Sequence, residues 1–163
     1  MPIDISLDEI DAGRNVYMAG FGSDDETQAG NREDQLKEVT APVRDGETCQ
    51  NVYQKENLLF DPQTSLCTGS FEEKEGQCIG DLGGPVIDVF PNGDGTVSKK
   101  LVGMQSFGIG CGNKKFGSVS VKMNQEKLDW ILETAKELHC NVFKNDLLCK
   151  VRPRAAFFVK ILT

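Results

Sequence analysis

The stretch of sequence that decides the fold runs from residue 78 to residue 90 and reads CIGDLGGPVIDVF. Its first part is rich in glycine and contains one acidic residue, Asp81, which is typical of a loop. Its second part, residues 85–90, is a short apolar run with the length of a buried strand. We therefore predict that residues 70–84 form a loop and that the chain enters a strand at Pro85.

Short apolar segments bounded by turn residues continue on both sides of this stretch. The sequence Asn92-Gly93-Asp94-Gly95 predicts a hairpin turn directly after the strand, and its acidic spacing does not fit a calcium loop. Similar segments predict further strands at residues 15–20, 36–40, 66–69, 97–106 and 117–121. Many short strands with regular turns predict an all-β barrel or sandwich.

One segment near the C-terminus has a clear helical pattern. Asn124 is a favourable N-cap, and apolar residues follow it at helical spacing. These apolar positions are Leu128, Ile131, Leu132, Ala135 and Leu138. Residues 43–57 are ambiguous, because their apolar spacing fits a short helix and an irregular loop is an equally good interpretation.

The composition limits the classes of function. A chain of 163 residues with 39% hydrophobic residues is long enough for one domain. The net charge of −7 comes from acidic residues spread along the chain, which argues against binding to nucleic acid or to an anionic membrane. Since no apolar run approaches the length of about 18 residues that a membrane span needs, we predict no membrane segment. We also predict no cofactor.

The chain has six cysteines, an even number, without the close pairs that zinc sites usually show. Disulfide bonds are therefore a better interpretation than a metal site, and they predict an oxidising, extracellular location. The first residues, Met1-Pro2-Ile3-Asp4, do not look like a secretory signal. Either a signal has been removed, or the sequence is a piece of a longer protein.

The segment from Gly80 to Pro85 closely resembles the Gly-Asp-Ser-Gly-Gly-Pro segment of the trypsin- and chymotrypsin-like serine proteases, peptidase family S1, with Leu82 in place of serine. Residues 16–22 resemble a family strand that ends in Gly-Trp-Gly, here with Phe21 in place of tryptophan. Residues 106–108 resemble the family's Ser-Trp-Gly strand, and the helix with Asp129-Trp130-Ile131 also fits. The order and spacing of these segments resemble the second barrel of the family.

This resemblance implies a fold and a domain organisation. Residues 1–138 are expected to form the C-terminal half of a trypsin-like domain, which is a six-stranded antiparallel Greek-key barrel with a C-terminal helix. Residues 139–163 are expected to form an extension. The resemblance implies the disulfide bonds Cys49–Cys67 and Cys78–Cys111, and it leaves Cys140 and Cys149 in the extension for a third pair.

The resemblance also implies the positions of the site residues. In the family, the nucleophilic serine lies on this barrel, and the catalytic histidine and aspartate lie on the first barrel. Leu82 stands at the position of the nucleophile, and the single histidine, His139, follows the helix and does not match the family's base. The backbone N–H groups of Gly80 and Leu82 match the oxyanion hole. The residues that match the substrate groove are Gly76, Ser106, Phe107 and Gly108. A glycine at position 76 suits apolar side chains in the pocket.

Asp81 matches the family aspartate that pairs with a new N-terminal ammonium when the propeptide is cut. Because that partner is missing here, we expect Asp81 to be exposed, protonated, or held by backbone N–H groups as in a zymogen. Without a nucleophile, the chain is expected to be an inactive homologue that binds a protein or peptide at the face that the first barrel would cover. The alternative is a truncated fragment or gene model of a serine endopeptidase, without an activity of its own.

Overall fold

The computed structural model describes residues 3–23, 34–72 and 76–137. These residues contain seven strands and two helices. In chain order the strands are β1 (Asp4–Ile5), β2 (Asn15–Gly20), β3 (Lys37–Pro42), β4 (Ser65–Thr68), β5 (Pro85–Pro91), β6 (Val97–Gly108) and β7 (Ser118–Lys122). The helices are α1 (Gly46–Gln54), between β3 and β4, and α2 (Gln125–Glu137), after β7.

Six of the strands form one antiparallel sheet in the order β3-β2-β5-β6-β7-β4. The sheet curls until its two end strands meet, because Val43, just after β3, forms an antiparallel bridge with Thr68 at the end of β4. The N–H of Gly69 supports this closure by donating to the Pro42 carbonyl (2.9 Å). The prediction of a six-stranded antiparallel Greek-key barrel with a C-terminal helix is therefore confirmed.

The interior of the barrel is filled from alternate positions of its strands. Val16 and Met18, two residues apart on β2, are both buried because successive side chains of a strand point to opposite faces. They pack with apolar residues that come from across the sheet. The complete cluster is Val16, Met18, Ala41, Val43, Leu66, Val86 and Val102. Burial of this face is what selects the register of the strands.

A second apolar cluster fastens α1 to the sheet. It consists of Cys49, Tyr53, Phe60, Cys67, Phe116 and Val119. The ring of Tyr53 is fully buried, and its hydroxyl donates to the Gly117 carbonyl (3.1 Å). The Cys49–Cys67 disulfide joins α1 to β4 within the same cluster.

Three local features differ from the sequence-based predictions or resolve them. β3 continues through Pro42, because a proline at the end of a strand still offers its carbonyl as an acceptor. The ambiguous residues 43–57 contain α1, which begins after Asp45, whose carboxylate accepts a hydrogen bond from the Thr48 N–H (2.8 Å). β1 was not predicted, since a two-residue strand has no alternation to recognise; it pairs in parallel with β6.

Helix α2 begins where the sequence predicts. The side chain of Asn124 caps it by accepting a hydrogen bond from the Lys127 N–H (3.0 Å). Several predicted features lie outside the described residues. They are most of the loop before β3 (residues 24–33), the last helical position Leu138, and the extension 139–163 with His139, Cys140 and Cys149.

Candidate functional site

The carboxylate of Asp81 is the anchor of the loop between β4 and β5. Its Oδ1 accepts a hydrogen bond from the Gly22 N–H (2.8 Å), and its Oδ2 accepts one from the Cys78 N–H (3.0 Å). The two segments are also joined through their backbones, since the Ser23 N–H donates to the Ile79 carbonyl (3.0 Å). Backbone N–H groups therefore hold the Asp81 side chain, which is one of the three states expected for it. The equivalence of Asp81 to the family's aspartate stays a prediction.

Two glycines make room for this carboxylate. A Cβ atom added at Gly20 would overlap the Oδ1 atom of Asp81, and one added at Gly22 would lie 2.5 Å from the same atom. Both positions must therefore remain glycine as long as Asp81 keeps its place, because a closer side chain would displace the carboxylate. The segment Gly20-Phe21-Gly22 therefore provides the space that the Asp81 carboxylate occupies.

Leu82 lies on the outer side of the same loop, and the residue is 59% exposed. The next two residues are fixed to β6: the Gly83 N–H donates to the Gln105 carbonyl, and the Gln105 N–H donates to the Gly84 carbonyl, both at 2.8 Å. The loop thus presents a hydrocarbon group to solvent beside β6. Such a group has no atom that can attack a carbonyl carbon.

The backbone N–H groups of Gly80 and Leu82 are available to a ligand. Within residues 3–23, 34–72 and 76–137, neither of them donates a hydrogen bond. Gly80 has a φ of +98°, and a Cβ atom there would lie 3.2 Å from the Cα of Gly22, so the position favours glycine. Backbone donors of this kind can bind a carbonyl or carboxylate oxygen. Their role as an oxyanion hole stays a prediction.

The carboxamide of Gln77 lies at the floor of the predicted groove. Its backbone N–H donates to the Ser118 hydroxyl (3.1 Å), and a Cβ atom at Gly76 would overlap that hydroxyl. The residue is only 3% exposed, and its side-chain amide nitrogen lies 3.3 Å from the Cβ position of Gly108. Among the residues described, neither atom of this amide has a hydrogen-bond partner. The structure therefore brings Gly76 and Gly108 together around a buried polar group.

The end of β6 carries the other predicted groove residues. The register with β7 shifts between Gln105 and Phe107, so Ser106 is the extra residue of a β-bulge. The ring of Phe107 meets the ring of Tyr53 edge-on, with centroids 5.6 Å apart. The side chain of Phe107 thus packs on the second core cluster, and the groove roles of Ser106 and Phe107 stay predictions.

Arg44 and Tyr53 are buried next to Gly117, which directly precedes Ser118 of the predicted groove floor. Burial raises the pKa of Tyr53 to about 12, and the positive charge of Arg44 offsets part of this rise. Burial lowers the pKa of Arg44. Neither Arg44 nor Gln77 was selected from the sequence. Arg44 was not predicted because a lone arginine usually lies at the surface. For Gln77, the one feature of the sequence that could have indicated a role was its position between Gly76 and a cysteine.

Two disulfide bonds stabilise the described chain, and they are the pairs that the resemblance implies. Cys49–Cys67 lies in the second core cluster, and Cys78–Cys111 joins the start of the Asp81 segment to the loop after β6. Because Gln77 precedes Cys78, the second bond also fixes one side of the predicted groove floor. The third pair, Cys140 and Cys149, lies outside the described residues.

In the part of the chain that the structure describes, no three His, Cys, Asp or Glu side chains lie close enough together to hold a metal ion. None of the helices described there has the length and apolar character needed to cross a membrane. The expectation that the chain uses no cofactor stays a prediction.

The antiparallel barrel and its C-terminal helix are consistent with a chymotrypsin-like barrel. The sequence matches the family model described as Trypsin over residues 1–131, and the chain therefore belongs to the trypsin family of serine endopeptidases. Trypsin eta of Drosophila erecta is 32% identical over 129 residues, which cover 79% of this chain and 44% of the relative. Trypsin-1 of Astacus astacus is 31% identical over 134 residues, which cover 82% of this chain and 52% of the relative. The chain spans about half the length of these relatives.

Proposed function

We propose that this chain is a catalytically inactive member of the trypsin family that binds a peptide, or a segment of another protein, beside the Asp81 loop. The observation that carries the proposal is Leu82, a residue with a hydrocarbon side chain that is 59% exposed on the loop that resembles the family's nucleophile loop. Two further observations support the proposal. The hydrogen-bonded carboxylate of Asp81 keeps the loop in shape, and the N–H groups of Gly80 and Leu82 can donate to a ligand although the loop lacks a reacting group.

The chemistry of position 82 argues against hydrolysis. The family's route begins when a hydroxyl oxygen attacks the scissile carbonyl carbon while a base removes the hydroxyl proton. Leu82 offers neither a lone pair nor a transferable proton. Oxyanion donors, each of which contributes about 3–4 kcal/mol in acyl transfer, act only on charge that the attack creates. The N–H groups of Gly80 and Leu82 are then left with a binding role, as donors to a carbonyl oxygen of a bound peptide.

Three exposed apolar side chains surround the anchoring point of Asp81 and support the binding role. Phe21 lies between the two glycines that seat the carboxylate, Ile79 accepts the backbone hydrogen bond from Ser23, and Leu82 follows Asp81 directly. Their exposed fractions are 49%, 45% and 59%. Exposed apolar groups that are gathered in this way usually mark an interface. A peptide with an apolar side chain would cover them.

The absence of a nucleophile is tested with a fluorophosphonate, which labels activated serines covalently. We expect no labelling of the wild type and no labelling of Leu82→Ser above a matched Leu82→Ala control. A serine at position 82 would still need an adjacent base, and no histidine is among the residues that the structure describes. Active trypsin serves as the positive control. Labelling of the wild type would contradict the proposal.

The binding role is tested by adding a capped tripeptide amide that contains phenylalanine. Binding is measured from the NMR chemical shifts of the protein's backbone amides. We expect saturable shifts at Gly80, Leu82 and Gly108, because the peptide lies between the Asp81 loop and the end of β6. A matched tripeptide with aspartate in place of phenylalanine should cause smaller shifts, since the surrounding side chains are apolar. If millimolar peptide of either kind leaves all three amides unchanged, the binding role is wrong.

Two further expectations belong to this proposal. We propose that residues 1–138 correspond to the C-terminal half of a trypsin-like domain. The family match over residues 1–131 supports this, and so does the fact that the chain covers about half the length of its relatives. We also propose an extracellular location, supported by the two disulfide bonds in the described chain.

A further inference from the structure

A single buried guanidinium joins two loops of the chain. Arg44 follows the residue that closes the barrel, and its side chain is buried, with 5% of the residue exposed. Its donors reach four backbone carbonyls, two on each loop. The hydrogen bonds run from Nε to Gly69 (2.8 Å), from Nη2 to Ser70 (2.7 Å) and to Lys114 (2.8 Å), and from Nη1 to Lys115 (3.1 Å).

The surroundings of the guanidinium are shaped to fit it. Its central carbon lies 4.1 Å from the centre of the Phe71 ring, a distance at which a cation is attracted to the ring face. A Cβ atom at Gly117 would lie 3.1 Å from the same carbon, so a larger residue would press on the guanidinium. Among the described residues, no carboxylate forms an ion pair with Arg44. Carbonyl dipoles and one aromatic ring therefore compensate this buried charge.

The two loops that Arg44 joins lead directly into the floor of the groove. The loop with Gly69 and Ser70 precedes Gln77, and the loop with Lys114 and Lys115 precedes Ser118. The Gln77 N–H donates to the Ser118 hydroxyl (3.1 Å), so the floor exists only where both loops are in place. Their separation is thus set on one side by this contact and on the other by the guanidinium.

We infer that Arg44 is a positioning residue for the groove: its guanidinium fills a built-in cation site made of four backbone carbonyls, and that cation holds the groove floor together. The cation site stands on the contacts of Arg44 alone, and its consequence for peptide binding rests on the proposed function. Without a cation, four carbonyl oxygens would face one another with no donor between them, and buried acceptors without partners destabilise the arrangement that keeps them together.

Other links between the two loops are weaker or lie elsewhere. The Lys114 ammonium also contacts the Glu72 carbonyl, but this contact is exposed to solvent. The Cys78–Cys111 disulfide joins the far ends of the same segments. The planar guanidinium of Arg44 reaches both loops at once from a buried position, which a point charge cannot do.

The test replaces the guanidinium and then supplies it from solution. Arg44→Met keeps the length of the side chain and removes its donors. We expect hydrogen exchange to become faster by about tenfold or more at two reporter amides, Gln77 and Gly117, because several charge-assisted hydrogen bonds are lost. Exchange should also be faster in Arg44→Ala, whose short side chain leaves room for a guanidinium. In that variant, millimolar methylguanidinium should slow the exchange again, and sodium chloride at the same concentration should not. Unchanged exchange in Arg44→Met, or no rescue by methylguanidinium, would overturn the inference.

Two further variants keep the result interpretable. Arg14→Met removes a guanidinium that pairs with Asp88 (3.0 Å) away from these loops, so both reporter amides should exchange as in the wild type. If they accelerate equally, the effect is general loosening and the inference fails. Should Arg44→Met not fold, Arg44→Gln is used, because its neutral amide reaches fewer carbonyls. Faster exchange in Arg44→Gln supports the inference, and wild-type exchange refutes it.

Peptide binding is measured separately so that the two proposals can fail independently. If the wild type binds no peptide, the proposed function is wrong, and the exchange experiment still decides the role of the cation site. If the wild type binds peptide and Arg44→Met binds it equally well despite faster exchange, then Arg44 does not position the groove.

Discussion

Replacing Cys49 and Cys67 together by alanine should lower the free energy of unfolding by about 3–5 kcal/mol. The bond closes a sequence separation of 18 residues, which constrains the unfolded chain, and it ties α1 to β4. Both cysteines are at most 2% exposed and pack against Tyr53 and Phe116, so their loss also leaves a cavity in the second core cluster. Equilibrium unfolding in denaturant, followed by circular dichroism, gives the free energy.

The matched control is the replacement of Cys78 and Cys111 by alanine. Its longer separation of 33 residues predicts a chain-entropy loss that is larger by about 0.5 kcal/mol. Against this, the cavity left by the buried Cys49–Cys67 pair should cost about 1–2 kcal/mol. The cavity effect is larger, so the variant without Cys49 and Cys67 should be the less stable of the two. The opposite order would show that unfolded-chain entropy dominates and that the second core cluster closes around the missing sulfurs.

Replacing Gly20 by alanine should destabilise the fold by about 3 kcal/mol and free the Asp81 loop. A Cβ atom at this position overlaps the Oδ1 atom of Asp81, so the carboxylate must leave its seat. It then loses the hydrogen bonds from the Gly22 and Cys78 N–H groups. Thermal or denaturant unfolding measures the loss, and hydrogen exchange at Gly22 and Cys78 should become faster. Gly93→Ala is the control, because no atom lies within 4 Å of a Cβ there.

A double-mutant cycle with Asp81→Ala assigns this effect to the carboxylate. In the absence of the carboxylate, the nearest atom to the new Cβ of Gly20→Ala is the Cβ at position 81, at 3.2 Å, which a small shift relieves. The cost of Gly20→Ala should therefore fall by more than half in the Asp81→Ala background. Equal costs in the two backgrounds would mean that backbone strain, and not the seat of Asp81, makes glycine necessary at position 20.

The strands and the helix α2 could be predicted because their signals are local. β2 alternates around Val16 and Met18, β5 is an apolar run after the glycine-rich turn, and Asn124 begins α2 as a cap. β1 has two residues and owes its existence to pairing with β6, so no local pattern could reveal it. The choice between loop and helix for residues 43–57 depended on burial of Tyr53 in the second core cluster, which is a long-range effect.

The site could be predicted in part for the same reason. Asp81 and the glycines of its loop are neighbours in the sequence. Gly20 and Gly22, which leave space for the Asp81 carboxylate, lie in the segment that resembles the family's strand. Arg44 and Gln77 were missed because their environments are assembled from residues far apart in the chain. The carbonyls around Arg44, for example, lie 25, 26, 70 and 71 residues further along. Contacts between residues so far apart in the chain leave no periodic pattern in the sequence.

The bridge between Val43 and Thr68 has a mechanical consequence. This single bridge is the seam where the curled sheet meets itself, and the next residue along the chain, Arg44, holds the two loops. Because the adjacent peptide unit serves both connections, a pull that opens the seam also draws the guanidinium out of its four carbonyls. Under force, the seam and the groove floor should therefore yield in one event, and no stretched form with an open barrel and an intact groove should be populated.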